Sequence, residues 1–481
     1  MLFTFELGAA QAQSRPPLQL PDTVELPSLN LHLPIPTALR PELAQIPSDI
    51  QGLHDQANFD IFAWLEFIAL NWPADANSCG PLAGATLASD AASPRVWETW
   101  KLPEEIFVAQ PDSRRPSPWC PQAAAAQRNQ ATLRQLTPSA AQLISERLAQ
   151  SGAAQVLLEI SRAHDLPGIQ QAFGGPLVDQ NGRFARYEVR VNFDEFAHIV
   201  VNRLWSKAGL ASAPAIDLPV GVAGGAVGSI EVKAAWKVLT QAELRGGRFY
   251  HIKALLRTGE DSAGQPTTEI ADVGLIGFHI THKTRSSPQW TWATFEHVDN
   301  LTSSLRNPSC HNTSACGATS LCALGCCAQN CQTAACRAGD ASCAELRSGS
   351  PTHLPTQVTR VQDVARMTPA DRDVATVNLA FQRLLAGSVW ANYVLISTQW
   401  PEQPNVLGGA PAPPFLANVA LETFNQGPTA QGSDGAVSYP ASGYLPFAST
   451  TSSSCMKCHF KATTSDLSQK SDFSFLFTHA Q

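Results

Sequence analysis

No apolar run in this chain approaches the roughly 20 residues that a membrane-spanning helix needs. The longest candidates, such as 61–70, are interrupted by charge or run into a Trp-Pro stop, so no integral membrane span is expected. A basic surplus is missing too. Lys and Arg number 33 against 40 Asp and Glu, a net charge of -7. That balance gives no electrostatic footprint for nucleic acid and disfavours an acidic membrane surface. A dinucleotide fingerprint is also absent. The glycines of 221–228 are preceded by Pro-rich sequence and followed by a strand pattern at 229–236, whereas that site needs a strand before the loop and a helix after it. The glycines read as a flexible turn.

What the chain has is 481 residues, enough to bury a large core, and twelve cysteines. Two of these stand in Cys455-Met456-Lys457-Cys458-His459. Such a C-x-x-C-H run is the attachment pattern of c-type haem: each thiol adds to one vinyl group and the adjacent imidazole ligates the iron. The same residues also match half of a structural zinc site or a redox-active C-x-x-C pair. The remaining ten cysteines permit five disulfides, which together with haem attachment points to a periplasmic or secreted protein. At the start, Ala10-Gln11-Ala12 has the small-residue form of a signal-peptidase site, but Glu6 and the absence of a basic leader do not fit. Residues 1–12 read either as the remnant of an export signal or as an ordinary terminus.

Taken in order, the chain divides into five segments. Residues 1–55 form the export-signal remnant and an extended Pro-rich arm. The main body occupies 56–309. It opens on a helix capped by Asn58 and apolar almost all round (Phe59, Phe62, Trp64, Phe67, Ile68, Leu70) up to Trp72-Pro73, so that helix should be buried. Cys79 and Cys120, the only cysteines of this half, are paired with each other; two buried free thiols are the alternative. Helices follow at 138–152 and after Asn192, the latter with Glu195 in a capping box, Phe193, Phe196, Val200 and Leu204 as its apolar stripe, and His198 at the surface. Residues 310–343 hold eight cysteines and little apolar sequence, a disulfide-rich insertion. The body resumes over 344–454. A helix there starts at Thr368-Pro369 and continues through Trp390 to Trp400-Pro401, packing beside the first as a central pair. The haem segment is 455–481. The fold class is α+β: one large irregular mixed domain with several buried helices and a short antiparallel sheet.

With only 460–481 beyond the motif, the haem needs the main body as its wall. The distal side has few candidates. Of three methionines, Met1 is terminal and Met456 lies between the thiols, which leaves Met367. Histidine offers more. In the strand pattern of 275–282, Leu275, Gly277, His279 and Thr281 face one way and Ile276, Phe278, Ile280 and His282 the other, with Trp290, Trp292 and His297 just after. His279, His282 and His297 rank ahead of Met367 as distal ligand. An open sixth position is the third case. Two strong ligands favour electron transfer, and an open position favours small-molecule chemistry.

Segments 67–73, 187–192, 230–236, 278–284 with 288–290, 295–299, the C-x-x-C-H run and 472–476 resemble a set of large bacterial proteins of the cytochrome c family. That resemblance spans most of the chain after residue 55. It implies export and one covalent haem held by Cys455, Cys458 and His459, and no particular substrate; the eight-cysteine segment looks like an insertion relative to it. The expectation is therefore a periplasmic monohaem c-type cytochrome, a haem-dependent oxidoreductase acting on a small molecule. The alternatives are an electron-transfer or assembly cytochrome that docks a redox partner protein, and a non-redox binding protein with a structural haem. The oligomeric state is not legible.

Overall fold

A computed structural model describes residues 43–50, 54–120, 177–300, 372–422 and 454–480, with short gaps and a few isolated positions elsewhere. It adds the backbone of three short strands, Thr23–Leu26 (β1), Leu31–Pro34 (β2) and Gln155–Leu157 (β3). Of the expected helix at 138–152 only Gln142, Ser145 and Glu146 are described, and they are helical; the eight cysteines of 310–343 and Met367 lie outside the described residues.

The body is α+β, built on one sheet. Its first helix, Gln56–Leu70 (α1), is buried on nearly every side, as its composition requires, but its cap is Asp55, whose side chain accepts from Asn58 N. After it, Cys79 and Cys120 are disulfide-bonded. A short helix, Pro103–Ile106 (α2), leads to Arg186–Val191 (β4) and then to Phe193–Val201 (α3). Asn192 caps α3 by accepting from Glu195 N. The face of α3 differs from the expected stripe: Glu195, Phe196 and Ile199 turn inward, Phe193 is 50% exposed, and His198 is half-buried. Lys207–Ser212 (α4), Ile230–Val238 (β5), Gln241–Gly246 (α5), His251–Glu260 (β6), Pro266–His282 (β7) and Thr291–His297 (β8) follow. The glycine-rich turn closes on itself: Gly228 has φ +91, and a Cβ there would meet the Gly221 backbone at 2.2 Å.

The sheet runs β10-β9-β8-β7-β5-β4, where β9 is Tyr393–Pro401 and β10 is Pro411–Ala412; β6 pairs with β7 and carries β3 in parallel at its other edge. β7 is 17 residues long. One of its edges pairs with β5, while the other is divided between β6 and then β8. A bulge interrupts the alternation read from the sequence. Ala235 pairs with Gly277 and Trp236 with Leu275, which leaves Ile276 as the extra residue. Leu275 therefore joins Phe278 and Ile280 in the main core, and Ile276 packs into a different cluster.

The expected helix through Trp400 ends early. Arg372–Leu384 (α6) stops before Gly387, whose φ is +88, and the following Tyr-Val-Leu-Ile-Ser-Thr-Gln-Trp-Pro is β9. β-branched and aromatic residues favour a pleated surface, and a left-handed glycine breaks the helix before them. The two Trp-Pro segments do meet, as a helix on a strand: Phe59 and Trp400 stack at 4.6 Å. α1 lies on one face of the sheet, where Phe67 stacks on Phe295 at 4.3 Å, Trp64 stacks on Phe381 of α6, and Trp64 Nε1 donates to Asn378 Oδ1. Each of these fully buried rings contributes about 1.5–3 kcal/mol of transfer free energy before conformational costs.

Candidate cofactor site

The other face of the same strands is polar at its centre. Alternation puts Glu231 and Lys233 of β5, His279 and Thr281 of β7, and Trp292, Thr294 and Glu296 of β8 on it; Lys233 is the direct cross-strand partner of His279, and His279 of Thr294. Two apolar clusters flank this centre. One contains Phe196, Ile199, Trp290, Trp292, Met456 and Phe477, the other Tyr187, Ala235, Ile276, Ala420 and Leu421.

Cys455–His459 (α7) lies on this face. Ser454 caps it, accepting from Lys457 N, and Gln399 of β9 anchors it by accepting from Ser454 Oγ at 3.1 Å and from Met456 N at 2.9 Å. Met456 points into the apolar cluster and is 1% exposed. Cys455 and Cys458 are half-buried and unpaired. Burial pushes both thiols up, with the Glu422 carboxylate adding to it, Cys458 to about 12 and Cys455 well above its ordinary value. A redox-active C-x-x-C pair has the opposite property, a depressed thiolate. Among the described residues no group of three or more His, Cys, Asp or Glu converges as a metal cage.

His459 is held by one strong contact. Its Nδ1–H donates to the Phe473 carbonyl at 2.7 Å, which fixes the tautomer and leaves the Nε2 lone pair without a partner among the described residues. Burial lowers this imidazole to about 4, so it is neutral. Trp292 and Phe475 flank the ring at 4.5 and 5.0 Å. The accepting loop is strained: Asp472 and Phe473 have φ of 50 and 67, and Trp290, whose Nε1 donates to Asp472 O at 3.0 Å, has φ 67. Left-handed non-glycine residues cost about 1–3 kcal/mol each and persist only where their surroundings over-determine them. Here Lys283 supplies that hold, bridging Asp472 at 2.6 Å and Asp217 at 2.5 Å, while Asp472 also accepts from Leu218 N. Two half-buried thiols on one helical turn followed by a neutral imidazole with a free Nε2 is a donor set that fits a c-type haem.

The candidate distal residues separate. His282 is on the α1 face and 0% exposed. Its Nδ1 meets Glu66 at 2.5 Å, its Nε2 donates to the Val227 carbonyl at 2.7 Å, and Phe62 stacks on the ring. His297 lies at the end of β8, stacked on Phe249 at 3.8 Å; its Nε2 donates to Arg248 O and its Nδ1 accepts from Asp299 N. Burial takes it down to about 4. Both rings have spent both nitrogens. His279 alone of the three shares the face of His459, close enough for its charge to bear on that ring. Its Nε2 meets Glu422 at 2.6 Å, and its Nδ1 has no partner among the described residues. Glu422 also accepts from Asn418 N. Burial alone would raise Glu422, but His279 and Lys233 outweigh it and hold the carboxylate below its usual range.

The sequence reading missed Lys233, Gln399 and Glu422, and a carboxyl pair beside them. Lys233 was legible as the polar side of the Ile230–Val238 alternation; Glu422 stands in irregular sequence with no signal. The pair is Glu195 of α3 and Glu231 of β5. Glu195 is 0% exposed, and the charge of the Glu231 carboxyl, which accepts from Ser474 Oγ, bears on it. Burial raises both: the Glu231 and Asp472 charges add to it for Glu195, which sits well above the carboxylate range, whereas for Glu231 the contacts with Ser474 and Glu195 work against it and Asp472 adds to it.

No family model, curated protein or solved structure matches this chain.

Proposed function

We propose that this chain is an exported monohaem c-type cytochrome in which Cys455 and Cys458 carry the haem covalently and His459 ligates its iron, and that it acts as an oxidoreductase on a small molecule. The observation that carries the reading is the Nδ1–H bond from His459 to the Phe473 carbonyl, which leaves the neutral Nε2 free directly after a C-x-x-C turn. Bound there, the haem supplies one-electron chemistry. The chain's own residues do the rest: Trp292, Phe475 and Met456 exclude water around the imidazole, and Gln399 fixes the helix that bears the thiols. His279, oriented by Glu422 through Nε2, keeps Nδ1 available to take or give a proton. Its neighbours are ionisable rather than apolar, which favours an enzyme over a simple carrier. The Cys79–Cys120 bond supports export, since such bonds persist in oxidising compartments. A redox partner protein would exchange the electrons.

One observation favours a second reading. The unspent Nδ1 of His279 is also a ligand atom, and a second imidazole on the iron would make the protein an electron carrier. Optical spectra of the ferric and ferrous protein, with and without carbon monoxide or cyanide, decide between the two. The enzyme reading expects ready ligand binding. A low-spin iron indifferent to both ligands would establish the carrier.

A further inference from the structure

We propose that the Glu195–Glu231 pair is the proton site of the haem reaction: Glu195 holds one proton against the Glu231 carboxylate, and Glu231 takes up a second from solvent when the iron accepts an electron. This coupling rests on the haem reading above. Its ground is an anomaly of packing. Glu195 is 0% exposed, yet neither of its carboxyl oxygens has a hydrogen-bond partner among the described residues. An ionised carboxylate withdrawn from water without donors is very costly, and a proton on it removes most of that cost. Burial accordingly holds Glu195 well above the ordinary carboxylate range. Once protonated, its O–H has an acceptor in Glu231, whose carboxyl meets it from β5. Glu231 differs in two respects: it already accepts from Ser474 Oγ, and it is only half-buried, which leaves it able to exchange a proton with solvent.

The surrounding charges do not neutralise the pair. Asp472 adds its negative charge to both carboxyls. Lys283 is the cation that bears on Glu195, but it is bound to Asp472 and Asp217, and its charge also reaches His198. On α3 itself, Asp194 accepts from Gly228 N, and Lys101, 5.5 Å from the Phe196 ring centre, is paired with Glu105. From Glu231 the contacts lead to the iron ligand. Ser474, which donates to Glu231, follows Phe473, whose carbonyl accepts the Nδ1–H of His459 at 2.7 Å. Phe473 and Ser474 are both buried, so a charge added at the iron reaches Glu231 through protein, where screening is weak. An electron there raises the proton affinity of Glu231, and a proton on Glu231 favours the reduced iron by the same factor. The step balances: one electron from the redox partner converts ferric to ferrous iron, and one solvent proton converts the Glu231 carboxylate to a carboxyl group.

Potentiometric titration of the full chain matured with haem, at a series of pH values, tests this. Above the ordinary carboxylate range the wild-type midpoint potential should fall as pH rises, approaching a tenfold change in the reduction equilibrium per pH unit, about 59 mV for one electron. Glu231→Gln should remove that slope. Glu195→Gln, whose amide still donates to Glu231, should keep it, and so should Asp272→Asn, which removes a carboxylate paired with Lys253. A slope that survives in Glu231→Gln overturns the site. Infrared difference spectra of the wild type cover the case in which Glu231→Gln does not fold: reduction should produce a carboxyl C=O band that moves to lower frequency in deuterium oxide, and the absence of that band overturns the site. A flat wild-type potential in a chain that carries haem overturns the proton site and leaves the haem reading standing; a matured chain without haem overturns both.

Discussion

His279 and His282 stand three residues apart on the same strand and live in opposite environments. His282 faces α1, fully buried, with both nitrogens satisfied by Glu66 and the Val227 carbonyl. His279 faces α7, 14% exposed, with one nitrogen held and the other without a partner among the described residues. The comparison extends to the whole sheet. On the α1 face the strands present Trp236, Phe278 and Phe295 to a dry aromatic core. On the α7 face they present Glu231, Lys233, His279 and Thr294 between two smaller apolar clusters. A sheet buried on both sides has no folding reason to carry a charged row through its middle, and each unspent group there costs stability. One face is a dry aromatic core, and the other keeps ionisable side chains at its centre.

Substitutions that separate the two faces sharpen this contrast. The largest effect falls on the attachment site: Cys455→Ser with Cys458→Ser should abolish covalent haem, read as haem released from the polypeptide in acidified solvent. Next, His282→Ala should remove about 3–5 kcal/mol of stability in urea denaturation, because it strands a buried Glu66, while the haem spectrum of the folded fraction stays unchanged. His279→Ala should do the reverse, costing less than about 1.5 kcal/mol of stability but altering the response of the haem to cyanide. If both histidines behaved alike in the two assays, the division between faces would fail.

A smaller effect concerns pH. Glu195 and Glu231 have folded values raised above the ordinary carboxylate range. A raised value means the folded state binds the proton more tightly, so the pair's contribution is fully present below that ordinary range and is lost as pH rises through the folded values. Glu195→Gln should flatten this decline, so that denaturation midpoints of variant and wild type diverge in the variant's favour as the medium becomes alkaline. The smallest effect belongs to α3's outer side. Phe193→Ser, at a half-exposed ring, should change stability by about 0.5 kcal/mol or less.

What could be read from the sequence follows the same division. Local signals were sufficient where one element determines the outcome: the all-round apolar α1, the Asn192 cap and the strand pattern of β5. The two lone cysteines of the first half also found each other. Failures came where the outcome depends on distant partners. Tyr393–Pro401 looked like the end of a helix because its Trp-Pro stop matched that of α1, and only pairing with β8 makes it a strand. The bulge at Ile276 depends on the register of β5, so strict alternation misassigned Leu275. Of three ranked histidines, spacing could not tell which would be tied up at both nitrogens. Glu422 is brought to His279 across 143 residues, beyond the reach of any local pattern.

The most direct test of the haem reading is mass spectrometry of the chain after coexpression with c-type haem maturation proteins in an oxidising compartment. A peptide containing Cys455 and Cys458 that carries one haem through two thioether bonds, with the alkaline pyridine spectrum of c-type haem in the intact protein, is the predicted result. Unmodified cysteines in a folded, secreted protein, or a metal other than iron bound at 455–459, would contradict it.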